Sequence, residues 1–72
     1  SVEVMSGSYF DGKTVSELLL PERCEIINIH RDRKDIPPAK QKLVPGDQVQ
    51  IEMDAQDIEK LYEPLVSMAN IY

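Results

Sequence analysis

The sequence has one cysteine, Cys24, one histidine, His30, and no tryptophan. A single cysteine excludes a disulfide bond within the chain, and together with a single histidine it is too few ligands for a structural zinc site. We expect neither a metal nor another cofactor. An unpaired cysteine is typical of proteins that work in the reducing cytosol.

Long apolar runs are also missing. The longest is Leu18-Leu19-Leu20, whereas a membrane-spanning helix needs roughly 20 apolar residues. Residues 1–8 have neither the basic start nor the apolar middle of a signal peptide. Because the chain opens directly on a strand-like alternation, we expect a single domain, residues 1–72, that was excised from a larger protein.

The small size of the chain leaves little room for a core. A domain of 72 residues buries only about 60% of its unfolded surface, and such a core supplies about 3–5 kcal/mol of net stability. With disulfides and zinc excluded, self-association is the remaining source of support. The sequence therefore predicts a homodimer.

Positive charge is scarce and concentrated in one stretch. The chain carries 8 basic and 13 acidic residues, for a net charge of −5. Residues 31–42 hold five of the basic residues and two of the acidic ones, which gives this stretch +3 and the remainder −8. An acidic body argues against nucleic-acid binding, which needs several cations on one face. The basic stretch, which we call the basic island, can still bind one small anion.

The first third of the chain predicts a strand and then a short helix. Val2 and Val4 alternate with polar residues, as in a half-buried strand. Thr14 and Glu17 have the spacing of a capping box, so a helix should run from there to about Leu19.

The middle of the chain predicts three strands. Residues 24–30 carry isoleucine at both alternating positions, so we expect this strand to be covered on both sides. Residues 36–38, Ile-Pro-Pro, cannot lie in a central strand and should form an extended edge segment. Residues 44–47, Val-Pro-Gly-Asp, predict a turn in which Asp47 bonds neighbouring amides. Residues 48–53 alternate strictly and predict the last strand.

The end of the chain predicts a helix that Asp54 can cap. Pro64 interrupts its apolar stripe, so we expect a break or kink there and the start of a second short helix. The element order strand-helix-strand-strand-strand-helix predicts an α+β fold with a small, mostly antiparallel sheet and helices on one face. The stripe consists of Ile58, Leu61, Tyr62, Leu65, Met68 and Ala69.

No residues form a recognisable catalytic set, so we do not expect an enzyme. General acid–base catalysis needs a titratable pair in one cleft, whereas His30 stands alone beside Arg31. Cys24 has no candidate base nearby in sequence, and the expected role is a buried structural thiol.

The tripeptide Gly12-Lys13-Thr14 has the ending of a phosphate-binding loop but lacks the upstream glycine at the required spacing. A turn followed by a helix cap accounts for it. We therefore expect no phosphate loop here.

The basic island, residues 31–42, has two interpretations. The first is a solvated hairpin tip, in which the two aspartates partly neutralise the basic residues. The second is the rim of an anion-binding site, because an arginine guanidinium can hold a phosphate with two parallel donors. The apolar step at residues 36–38 then offers a flat surface to the ring of a nucleotide-sized ligand.

The succession of these motifs resembles the TrkA-C, or RCK-C, domain across residues 6–65. That family's pattern has Gly-Lys-Ser/Thr before a helix, an isoleucine-rich strand, a polar turn with arginine, an Ile-Pro step and Leu-x-x-Gly-Asp before the last strand. Here these are Gly12-Lys13-Thr14, residues 26–31, Ile36-Pro37 and residues 43–47.

The resemblance implies a regulatory domain at the cytoplasmic face of the cell membrane. Such domains are usually homodimers attached to a membrane ion transporter or channel, here expected in the same polypeptide, and some bind cyclic di-AMP between two protomers. The alternative is a structural dimerisation module that couples a transporter to other domains and has no ligand. Carried over by motif, the resemblance points to a nucleotide-type ligand at Asn28, His30, Arg31, Ile36, Pro37 and Pro38.

Overall fold

The computed structural model describes residues 1–70, which form one four-stranded antiparallel sheet and one α-helix. The sheet order is β1-β4-β2-β3, so the two shortest strands lie at its edges. The prediction of an α+β fold with an antiparallel sheet is confirmed. The elements are β1 (Val2–Glu3), β2 (Glu25–Arg31), β3 (Lys34–Ile36), β4 (Gln48–Glu52) and α1 (Ile58–Ala69).

The predicted first helix is only a single 3-10 turn, Val15–Glu17, so the stated element order holds only in part. The capping residues are in place, because the Thr14 amide donates to Glu17 Oε1 at 2.8 Å. The backbone is already extended at Leu18. Leu18 is nevertheless buried.

The hairpin between β2 and β3 places residues 31–34 of the basic island at a hairpin tip. Arg31 pairs with Lys34, so only Asp32 and Arg33 form the loop. Their φ angles are 51° and 65°. Two successive positive φ values define the tight turn whose twist matches that of the flanking strands.

A β-bulge in β2 explains why isoleucine occurs at both alternating positions of this strand. The register of its pairing with β4 shifts between Ile26 and Asn28. The extra residue places Ile26 and Ile29 on the same face despite their odd spacing, and both are buried. Isoleucine at both alternating positions therefore reflects the bulge, and Ile27 is left 41% exposed.

The core lies on one face of the sheet, and the opposite face is mainly polar. Each fully buried large apolar side chain contributes about 1.5–3 kcal/mol to folding before the entropy cost. Val49 of the alternating strand belongs to this core, as predicted, and Ile51 packs against it. The largest buried apolar side chains are Val4, Phe10, Ile29, Leu43, Val49 and Leu65.

Helix α1 runs through Pro64 as a single element, so the predicted break and second helix do not occur. The helix follows a separate 3-10 turn, Ala55–Asp57, whose N-cap is Asp54. The Asp54 carbonyl accepts from the Asp57 amide at 2.9 Å, but its side chain makes no capping hydrogen bond. Within residues 1–70, no helix is long and apolar enough to cross a membrane.

The predicted stripe of α1 divides into two parts. Its C-terminal part, Leu65 and Ala69, is buried. The carbonyl of Ala69 accepts from the amide of Met5 at 2.7 Å, which fixes the end of the helix to the segment after β1. Ile58 and Tyr62, at the other end, remain 48% and 57% exposed.

Candidate ligand-binding site

The six residues that the sequence singled out do not form one cluster. They lie in three distinct environments: the polar face of the sheet, a buried ion pair, and the end of edge strand β3 with the two prolines that follow it. The residues are Asn28 and His30 on the sheet, Arg31 in the ion pair, and Ile36, Pro37 and Pro38 at the edge.

On the polar face of the sheet, Asp35 holds Asn28 and His30 together. One oxygen of its carboxylate lies 3.0 Å from Asn28 Nδ2 and 3.0 Å from His30 Nδ1. These hydrogen bonds, first that from Asn28, lower the pKa of Asp35 below its usual value. Asp35 was not among the predicted site residues, although its place opposite His30 in the hairpin follows once the loop is known.

This cluster borders an open cavity of about 420 Å³. Two glutamines of β4, Gln48 and Gln50, form its other side, because they pair with His30 and Asn28. The surface thus offers amide and imidazole groups that can both donate and accept hydrogen bonds. Such a surface suits the edge of a heterocyclic ring, which has both hydrogen-bond donors and acceptors, better than an anion, which only accepts.

Arg31 is hydrogen-bonded to a buried partner, Asp47. Its Nε lies 2.7 Å from Asp47 Oδ1 and its Nη2 lies 2.8 Å from Asp47 Oδ2. Nη2 also donates to the Lys42 carbonyl at 2.8 Å. This two-pronged geometry is the strong form of an arginine–carboxylate pair. Within residues 1–70, Nη1 makes no hydrogen bond and is the part of Arg31 that a ligand could meet.

Asp47 has the turn role that the sequence predicted, and a second role that it did not reveal. Its Oδ2 accepts from the Val44 amide at 2.9 Å, and the same carboxylate binds Arg31. Burial raises the pKa of Asp47, but the hydrogen bonds and charge of Arg31 and the Val44 amide outweigh that effect and lower it overall. The pKa of Arg31 is raised, mainly by its hydrogen bonds to Asp47.

The edge residues face in different directions. Ile36 packs against the core, whereas Pro37 is exposed. Pro38 lines an open cleft of about 520 Å³ in volume. The complete lining of this cleft is Thr14, Val15, Ser16, Pro38, Ala39 and Lys40.

The Gly-Lys-Thr tripeptide has a structural role, as expected. The Lys13 ammonium donates to the Tyr9 carbonyl at 2.7 Å and lies 4.4 Å from the centre of the Tyr9 ring. The Tyr9 hydroxyl accepts from the Leu19 amide at 2.8 Å. Tyr9 thus joins the turn at Gly12 to the segment that follows the 3-10 turn.

Cys24 is half-buried rather than fully buried. Burial raises the pKa of its thiol, and the charge of Asp57 adds to this effect. A raised pKa disfavours the reactive thiolate. Among residues 1–70, no three histidine, cysteine or acidic side chains come close enough to bind a metal ion.

Comparison with known proteins identifies the family. Residues 1–66 match the TrkA-C domain, and the chain belongs to that family. The chain is also 38% identical over 61 residues to the Trk system potassium uptake protein TrkA homolog of Archaeoglobus fulgidus. This similarity covers 83% of the chain and 14% of the relative, so the chain spans only a small part of that protein's length.

Proposed function

We propose that this chain is a cytosolic regulatory domain of a membrane potassium transport system. Its membership of the TrkA-C family carries the proposal, and the similarity to a potassium uptake protein indicates the ion. The transporter or channel is proposed to lie in the same polypeptide or to bind to it. We propose no catalytic role for the domain.

The regulatory unit is proposed to be a homodimer. The supporting observation is a group of exposed apolar side chains, Met5, Ile27, Ile58 and Tyr62, which we call the apolar patch. Tyr62 lies between a cavity of about 440 Å³ bordered by Met5 and one of about 360 Å³ bordered by Ile27 and Ile58. Exposed apolar surface of this kind marks interaction sites in small proteins.

The ligand is proposed to be a dianionic nucleotide such as cyclic di-AMP, shared by two protomers. A two-fold axis duplicates every group of the site, which suits a symmetric ligand. Asn28 and His30 can contact the base edges, and Nη1 of Arg31 can meet a phosphate. Within the apolar step, Pro37 and Pro38 are the residues that can support the rings, because Ile36 packs against the core.

The oligomeric state is tested by light scattering on the purified chain. Tyr62→Lys should dissociate the dimer, because a charge at the centre of the apolar patch loses its hydration on association. Leu19→Lys is the matched control, since Leu19 is 85% exposed and lies outside the patch. A monomeric parent chain, or equal dissociation by both variants, contradicts the proposed interface.

Ligand binding is tested by calorimetric titration with cyclic di-AMP. We expect saturation at one ligand per two chains and weaker binding for Asn28→Ala. Gln56→Ala, an exposed amide on the turn before α1, should bind as the parent does. Arg31 is a poor first probe, because its loss also unpairs the buried Asp47 and so changes stability as well as binding.

A ligand-free coupling module is the second candidate. It is favoured by the internal bonding of the expected site, where Arg31 is held by Asp47 and Asn28 by Asp35. Under this alternative the domain passes motion between a sensor domain and a membrane protein. A stable dimer that binds no cyclic di-AMP supports this second candidate.

A further inference from the structure

The open cleft described above lies between two turns of one chain. We call it the turn cleft; its walls are residues 14–16 and 38–40. Its volume of about 520 Å³ lies within the roughly 300–1,000 Å³ range of small-molecule sites. Val15, Pro38 and Ala39 make its surface largely apolar, and the remaining lining residues add a few polar groups.

The two walls are held together by the backbone. Thr14 and Lys42 form an isolated bridge. Next to it, the Gly12 amide donates to the Leu43 carbonyl and the Leu43 amide donates to the Lys13 carbonyl, each at 2.8 Å. Because Leu43 is itself fully buried, this junction beside the cleft is fixed. A preformed site of this kind loses little conformational entropy when a ligand binds.

The hydroxyl groups at one side of the turn cleft form a chain of hydrogen bonds whose direction can be assigned. Thr14 Oγ1 donates to Glu17 Oε1 at 2.9 Å and lies 3.1 Å from Ser16 Oγ. Thr14 has only one hydroxyl hydrogen, so Ser16 must be the donor to Thr14. The Ser16 oxygen therefore keeps its acceptor sites, and this side of the cleft can accept a hydrogen bond from a ligand.

Lys40 stands where a turn of this type favours glycine. The Gln41 amide donates to the Pro38 carbonyl at 3.3 Å, and Lys40 has φ 62°. A single positive φ at the third residue defines a type II turn, in which a side chain at that position costs conformational energy. Within residues 1–70, Lys40 makes neither an ion pair nor a side-chain hydrogen bond that offsets this cost. Lys40 instead lines the turn cleft and places a positive charge there.

We propose that the turn cleft binds a small molecule with a planar ring, a hydrogen-bond donor at one end and an anionic group at the other. The ring packs between Val15 and Pro38, the donor bonds Ser16 Oγ and the anion meets the Lys40 ammonium. All the residues involved belong to one chain. The site therefore does not depend on the homodimer, and Pro38 is the one residue that it shares with the proposed cyclic di-AMP site.

The first test is an NMR titration of the whole chain with para-aminobenzoate, which has these three features. We expect saturable shifts of the backbone signals of Val15, Ala39 and Lys40. Benzoate lacks the donor and aniline lacks the anion, so each should bind about tenfold more weakly, the usual effect of losing one strong polar contact. Equal binding of the three compounds, or shifts spread over all basic residues, overturns the proposal.

The second test separates binding from folding. Lys40→Gly should weaken para-aminobenzoate binding by about tenfold while leaving the melting temperature equal or higher, because glycine suits the turn. Arg33→Gly is the matched control, since Arg33 is also a cation at positive φ but lies at the hairpin tip. Unchanged affinity in Lys40→Gly, or an equal loss in Arg33→Gly, rejects Lys40 as the anion contact.

Ser16→Ala tests the donor end of the ligand. The variant should bind para-aminobenzoate and benzoate equally, because the acceptor that distinguishes them is gone. A preference that survives in Ser16→Ala shows that the assigned orientation is wrong.

Discussion

The guanidinium of Arg31 and the carboxylate of Asp47 are joined by two hydrogen bonds, of 2.7 and 2.8 Å, across 16 residues of sequence. Asp47 is 1% exposed, and Arg31 covers it from the end of β2. The pair thereby fixes the hairpin to the turn that opens β4. A buried carboxylate at this position is stable only while its cation stays in place.

Neutralising Asp47 should therefore destabilise the domain. We expect Asp47→Asn to lower the free energy of unfolding by about 3 kcal/mol, near the lower end for a broken buried pair because Arg31 is partly exposed. Urea unfolding followed by circular dichroism measures the change. Glu52→Gln, the same chemical change at an exposed site of β4, should have almost no effect, and a similar loss in both variants would contradict this role of Asp47.

The same pair predicts how stability depends on pH. The pKa of Asp47 is lower in the folded chain than in the unfolded chain, so its contribution is present at neutral pH and is lost as pH falls through the folded value. The loss should begin below about pH 4, the ordinary pKa of an aspartate. Urea midpoints measured between neutral and acidic pH should fall less steeply for Asp47→Asn than for the parent. Parallel curves would contradict the assignment.

Leu43 should be among the most sensitive core positions. It is fully buried, and its backbone joins the segment after the hairpin to the turn at Gly12. Leu43→Ala should cost about 2–5 kcal/mol, because the cavity it leaves cannot collapse fully. Thermal unfolding of Leu19→Ala, a leucine that is 85% exposed, provides the comparison and should match the parent closely.

The hydroxyl of Tyr9 should make a small but measurable contribution. Tyr9→Phe keeps the ring beneath Lys13 and removes only the acceptor of the Leu19 amide. The expected loss is about 1 kcal/mol, the usual net value of a hydrogen bond. Urea unfolding of the parent and of Tyr9→Phe measures the difference, and coinciding unfolding curves would contradict this role of the hydroxyl.

Local signals in the sequence predicted local structure well. The turn at residues 44–47 has its glycine at φ 93°, as the Pro-Gly order requires. The hairpin tip at residues 31–35 and the alternation of β4 could be predicted from the sequence equally well. Each of these features depends on a few neighbouring residues.

The errors arose where distant contacts decide the outcome. The bulge in β2 depends on how β2 pairs with β4, so the isoleucine pattern alone could not reveal that Ile26 and Ile29 share one buried face. Helix α1 continues through Pro64 although proline lacks an amide donor, and its buried C-terminal end is bonded to the segment after β1. Tertiary contacts outweigh local preference in such cases.

The candidate site was the least predictable part. The sequence placed Arg31 near a ligand because arginine suits phosphate, but it could not reveal that Asp47 already binds two of its nitrogens. Asp35 and Lys40 were missed because neither belongs to a motif. Their positions follow only from the hairpin register and from the turn after the two prolines.

The short edge strand β3 also limits how the protein can aggregate. β3 has only three residues, two of them charged, and the two prolines that follow it lack the amide hydrogens that a further strand would need. Copies of the domain therefore cannot add strand to strand along this edge and grow into an extended sheet. Association through side-chain surfaces, such as the apolar patch, can instead close on itself and stop.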